Sequence, residues 1–198
     1  ADMPEMAAPL VAEYCGDNPD NCADGKINME FQYSGPSVLQ DRIFDVLSAG
    51  FEPYFNVTKD MLLQDDHITQ TAIGMYDFLT WRQMGARNPD GDGVWIVCDA
   101  IGVLSLNWPR YCSPERDEIL YGARGNNDRD AVVQAWKDIA VNVQESYTYV
   151  LFTHTLWNAT YAPNVRGMCD GAFPDGSIAY CRGTGGGYGN YSTMWFEG

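Results

Sequence analysis

Residues 26–50, KINMEFQYSGPSVLQDRIFDVLSAG, decide the fold. Lys26–Tyr33 alternates, with Ile27, Met29, Phe31 and Tyr33 on one side and Asn28, Glu30 and Gln32 on the other. That is the period of a half-buried strand. Ser34-Gly35-Pro36-Ser37 then offers serine caps and an early-turn proline. Leu39, Ile43, Val46 and Leu47 recur on one helical face, and Gly50 marks the stop. A strand that feeds a helix in this way is half of a β-α-β unit.

Working outward, residues 3–14 carry Met6, Leu10, Val11 and Tyr14 at helical spacing and predict a short helix. Phe51–Val57 predicts a second strand, with Pro53 at an edge or break. Thr58–Ile73 reads as one or two short helices. Met75–Gln83 reads as a third strand, and Val94–Val97 is short and β-branched. Ile101–Trp108 reads as a loop or short helix. Pro114 opens a helix capped by Ser113, with Glu115 and Asp117 in the first turn, where the helix dipole favours acids. Asn127 or Asp128 caps the next helix, whose apolar stripe is Val132, Trp136, Ile139 and Val143. Tyr147–Phe152 predicts a core strand, and a late strand falls at Ser192–Glu197 in a Gly-rich, aromatic tail. The order favours an α/β class: a mixed sheet with helices on both faces.

Composition narrows the function. At 198 residues one domain is expected. A hydrophobic share of 45% argues against disorder. The formal charge of −15 repels phosphate backbones and anionic membrane surfaces, so no nucleic acid partner is expected. No run of about 18 apolar residues predicts a membrane span. The opening Ala1-Asp2-Met3-Pro4 is no signal peptide and is expected to be a mature start or the interior of a longer protein.

The cysteines fall into local pairs: Cys15 with Cys22, Cys98 with Cys112, Cys169 with Cys181. Each pair brackets a loop rich in Gly, Pro, Asn or Asp. Disulfides are the favoured reading, although six cysteines allow fifteen connectivities. Zinc is the rival, but there is no Cys-x-x-Cys and the only histidines are His67 and His154. Disulfides imply periplasm, cell surface or medium.

Several motifs stop short of chemistry. Asp20-x-Cys22-x-Asp24-Gly25 starts like a calcium loop but puts Phe31 where a bidentate Glu belongs. Gly183-Thr184-Gly185-Gly186-Gly187 lacks the Lys and the helix start of a phosphate loop. His154 has no nucleophile motif beside it, and His67 is expected on a solvated helix. Asn56, Asn158 and Asn190 head glycosylation sequons, relevant only in a eukaryotic secretory route. No metal, cofactor or catalytic residue is expected. A secreted hydrolase using a carboxylate pair stays open, since such pairs work at any sequence separation. So does a surface interaction module.

Aromatic and cationic groups cluster near predicted strand ends. Trp81, Arg82 and Arg87 follow the third strand, and Trp108, Arg110 and Tyr111 precede the Pro114 helix. In open α/β sheets ligands collect beyond the carboxyl ends of the strands. Aromatics there give flat apolar contact, and arginine gives a forked donor to carboxylates. These six residues are the candidate ligand contacts.

The same layout resembles the C-terminal lobe of ABC-transporter solute-binding proteins of the oligopeptide, dipeptide and nickel family. The resemblance rests on ordered motifs: an opening helix, KINMEFQYSG, SVLQDRIFDVLSAG, MYDFLTW, ARNPDGDG, NWPRYCSPERDEIL, an amphipathic helix, and YTYVLFTHTLWNATYAPNVRG with its Val-Arg-Gly end. It implies a single lobe of a periplasmic-binding-protein-like, type II fold spanning 1–198. It further implies a missing N-terminal lobe, hinge closure on a small-molecule or peptide ligand, and hand-over to an ABC permease without chemistry. Trp81 and the loop after it would face the cleft. Peptide-binding relatives carry an aspartate shortly after this tryptophan. Here Arg82-Gln83-Met84-Gly85-Ala86-Arg87 follows, with no acid until Asp90, which points to an anionic or polyhydroxylated solute.

Overall fold

The computed structural model describes residues 4–82, 89–152, 162–167, 176 and 194–197. The chain divides into two compact units: 1–81 with 94–117, and 82–93 with 118–198.

The first unit is built on a mixed sheet. After α1 (Pro4–Asp17) come β1 (Cys22–Ala23), β2 (Lys26–Ser34), α2 (Val38–Phe51), β3 (Phe55–Leu62), α3 (Gln64–Ile73) and β4 (Phe78–Leu79). β2 is the centre. β3 runs parallel along one edge, from Ile27↔Phe55 to Ser34↔Leu62. β4 runs parallel with it at Phe31↔Phe78, and β1 pairs antiparallel at Cys22↔Ile27. The chain steps from β2 to β3 and then back past β2 to β4. Right-handed crossovers moving in opposite directions put their helices on opposite faces.

The side chains confirm this. Alternation sends Phe31 and Gln32 to opposite sides. The Phe31 ring lies 5.2 Å from Phe44 of α2, while Gln32 hydrogen-bonds His67 and Gln70 of α3. The expected sheet with a helix on each face is therefore present. Phe31, Gln32 and Tyr33 are all fully buried.

Several details differ from expectation. Thr58–Leu62 belongs to β3, not to a helix. In this strand Lys59 meets Asp41 of α2, while Asp60 meets Gln32 of the neighbouring strand. α2 turns Gln40, Ile43, Phe44 and Leu47 inward and leaves Leu39 and Val46 exposed. Ser37 caps it by accepting the Gln40 N–H, a contact worth ~1 kcal/mol. α1 forms, but Met6 and Leu10 lie open to solvent. Residues 89–95 form a 3-10 turn, so Val94 and Trp95 are not in a strand. Only Phe78–Leu79 of the predicted third strand pairs.

The expected disulfides Cys15–Cys22 and Cys98–Cys112 are both formed. The proposed Cys169–Cys181 pair lies outside the described residues.

In the second unit, α5 (Arg129–Glu145) is capped by Asp128, and its stripe of Val132, Trp136, Ile139 and Val143 is turned away from full exposure, with Ile139 buried. α4 (Pro114–Arg124) begins on the Ser113 cap, in the first unit, and ends in the second. There Arg124 pairs with Asp90 at 2.5 Å. β5 (Val165–Arg166) and β6 (Trp195–Phe196) form an antiparallel ribbon, held also by Arg166 on Glu197. The late strand predicted at 192–197 is therefore real where described. The core strand predicted at Tyr147–Phe152 is not. That segment has no ladder partner among the described residues, and Tyr147 and Leu151 are nearly fully exposed. An apolar run becomes a strand only where a neighbouring edge can pair with it.

Candidate functional site

Because β2, β3 and β4 are parallel, their carboxyl ends at Ser34, Leu62 and Leu79 lie along one edge of the sheet. The first turns of α2 and α3 begin there, since each helix follows directly on its strand. Thr80 is the hub. Its N–H donates to the Gln32 carbonyl, its hydroxyl reaches Gln40 Oε1 at 3.5 Å, and its carbonyl faces His67 Nε2 at 3.3 Å. The residue that follows it, Trp81, is thereby held at the edge.

Trp81 starts a run of rings. It stacks on His67 with centroids 5.1 Å apart and an interplanar angle of 26°. Its other contact is edge-on to Trp108 at 4.2 Å, and Trp108 meets Trp95 edge-on at 5.0 Å. Trp108 is buried, while Trp81 and Trp95 are half-buried. Trp81 and Trp108, both candidate contacts from sequence, come together here. Trp95 and His67 join them without having been among those candidates. Gln32, on the supposedly polar side of a strand, was the available signal that a polar partner lay beneath.

His67 is buried, which corrects its expected place on a solvated surface. Its Nδ1 stands 3.1 Å from Gln32 Oε1 and its Nε2 faces the Thr80 carbonyl. A neutral imidazole has one N–H and can satisfy one of these two oxygens. Only the cation would satisfy both. Burial opposes the cation and lowers the pKa, against smaller upward pulls from the Thr80 bond and from Asp60.

The loop carrying Trp108 is fixed from within. Asn107, buried, donates to the Val97 and Tyr111 carbonyls at 3.0 Å each, and the Cys98–Cys112 bond closes the loop. Arg110 has φ 54° and gives its guanidinium to the carbonyls of Gly102, Ala72 and Val103. Its donors therefore tie the 102–103 turn to the end of α3. Gly74 ends α3 in the left-handed region at φ 80°, and a methyl group there would run into the Arg110 guanidinium. Tyr111 is partly exposed and lies under the Arg116 guanidinium at 5.5 Å. Arg82 is exposed, and Arg87 lies outside the described residues, as does His154. No group of His, Cys, Asp or Glu suited to a metal occurs among the described residues.

No family model matches this sequence, and no curated protein matches it. Solved structures do. The fold is similar to the ABC transporter-associated periplasmic binding protein DppA from Helicobacter pylori, in complex with the peptide STSA. The TM-score is 0.53 at 12% identity, over 62% of this chain and 24% of that one. It is also similar to the unliganded open form of MppA, a periplasmic murein tripeptide binding protein. There the TM-score is 0.52 at 15% identity, over 71% of this chain and 27% of the other. The match thus spans about a quarter of the length of each. At these identities the likeness is one of fold: this chain folds like part of a periplasmic binding protein.

Proposed function

We propose that this chain is the C-terminal lobe of an extracytoplasmic solute-binding protein that delivers a small solute to an ABC importer. The observation that carries the reading is the shared fold with two solved proteins, both peptide binders by name. The rigid tryptophan edge and the two disulfides accord with it. Trp81 and Trp108 are the proposed aromatic contacts, with Tyr111 beside them. Arg110 serves by holding the loop that carries both Trp108 and Tyr111. Arg82 and Arg87 are proposed as ligand cations on sequence grounds alone, for an anionic or peptide-like solute. The lobe binds and does no chemistry. A second lobe and a membrane permease complete the system.

The test begins with the intact mass of the native gene product, expected near two lobes. Native mass spectrometry of that protein should then find a co-purified solute. Trp81→Ala should release it while the melting curve keeps its shape. A native product of this chain's own mass that holds no solute would overturn the reading.

A further inference from the structure

The second unit contains a surface depression of about 570 Å³ beside the start of α5. Its lining includes Asn126, Asn127, Arg129, Val132, Val133 and Trp136. The two valines and the indole give it an apolar floor. The other side chains named here carry hydrogen-bond donors. Among the described residues, no hydrogen bond or ion pair engages the amide of Asn127, the guanidinium of Arg129 or the indole N–H of Trp136. Asn126 uses its Oδ1 to accept the Asp128 N–H at 2.8 Å, which leaves its amide N–H groups unspent.

The helix end itself does not supply the site. Asp128 Oδ1 accepts the N–H groups of Asp130 and Ala131, so that the first backbone donors of α5 are taken. The side chains are what remain. An indole face beside aliphatic carbon suits the C–H face of a sugar ring. Carboxamides and an indole N–H suit ring hydroxyls. A guanidinium with no ion pair among the described residues, in a chain of formal charge −15, suits a carboxylate.

We propose that this depression binds a carboxylate-bearing pyranose, of the uronic acid class. The site is independent of the lobe reading and stands whichever solute the tryptophan edge takes.

Methyl glucuronide and methyl glucoside titrated into the 15N-labelled full chain provide the test. The Trp136 indole resonance is assigned by its loss in Trp136→Phe. The glucuronide should shift this resonance with a millimolar Kd. Arg129→Gln, at an exposed position, should weaken it about tenfold or more, the value of one lost charge-assisted contact. The same variant should leave the weaker glucoside response unchanged. No shift with either glycoside overturns the proposal. So does glucuronide binding that Arg129→Gln leaves intact. A shift by N-acetyl-alanine but not by the glucuronide would also overturn it, in favour of a peptide carboxylate. An unchanged amide spectrum of the variants separates lost binding from lost folding.

Discussion

The two sides of β2 are packed by different chemistry. Toward α2, Phe31 meets Phe44 and Phe78 at 5.2 and 4.8 Å, and Phe78 meets Phe51 at 5.2 Å. Toward α3, Gln32 meets His67, Gln70 and Asp60, and its amide also reaches the Met75 carbonyl. Neighbouring residues of one strand are equally buried on both sides. The aromatic side gains by removing apolar surface from water, a term that is non-directional and large. The polar side gains little net energy per bond but is costly to leave unpaired. The first side supplies stability. The second fixes position, and its last member, His67, sets the plane on which Trp81 lies.

That contrast is broken most directly on the aromatic side. Phe31→Ala should cost ~3–5 kcal/mol, the loss of a buried ring plus the cavity it leaves. Urea unfolding with the disulfides intact reads it as a lower midpoint at unchanged slope. A cost below that of the polar-side variants would reverse the assignment of roles.

On the polar side, Gln32→Leu should cost ~1–3 kcal/mol, because His67 and Gln70 lose partners in a buried setting. His67→Leu should cost a similar amount. The double variant should cost clearly less than the sum, since neither polar group is then left to be desolvated alone. Simple additivity would mean that the network does not act as a unit.

Gly74→Ala sharpens the same comparison at the end of α3. The left-handed φ strains any side chain, and the methyl group displaces Arg110 from the carbonyls it joins. We expect a loss of ~1–3 kcal/mol. Near-ultraviolet circular dichroism should also change, because Arg110 holds the loop that carries Trp108.

How much of this could be read in advance depended on whether a pattern has a local cause. β2 and α2 were legible because alternation, a serine cap and helical spacing are properties of adjacent residues. The two described disulfides were legible because their loops are short. Tyr147–Phe152 misled because strand formation needs a partner that the segment itself does not specify. Thr58–Leu62 misled for a related reason: as part of β3 it pairs with β2, whose residues are remote in sequence. At the edge, Trp81 and Trp108 stood out as large aromatics near strand ends. Arg110 stood out as well, but its left-handed backbone and three carbonyl partners arise only from the folded loop.

The smallest effect is one of pH, and it comes from the polar side alone, where His67 and Glu30 contribute with opposite signs. His67 has a folded pKa below its ordinary value of 6.5, chiefly through burial. The unfolded chain therefore takes up the proton more readily. The stability tied to neutral His67 is fully present above pH 6.5 and is lost as pH falls through the lower folded value. Glu30 acts the other way. Desolvation first, then Asp60 and Asp77, raise its pKa above 4.5, so its contribution is present below pH 4.5 and lost as pH rises through the folded value. Raw stability curves mix the two. The difference between the native chain and His67→Gln isolates the histidine, because glutamine cannot titrate. That difference, from urea midpoints at a series of pH values, should shrink as pH falls below 6.5 and level off above it. A difference that stays flat across this range would mean that His67 is not held neutral between Gln32 and Thr80, and that the plane beneath Trp81 is set by the ring stack alone.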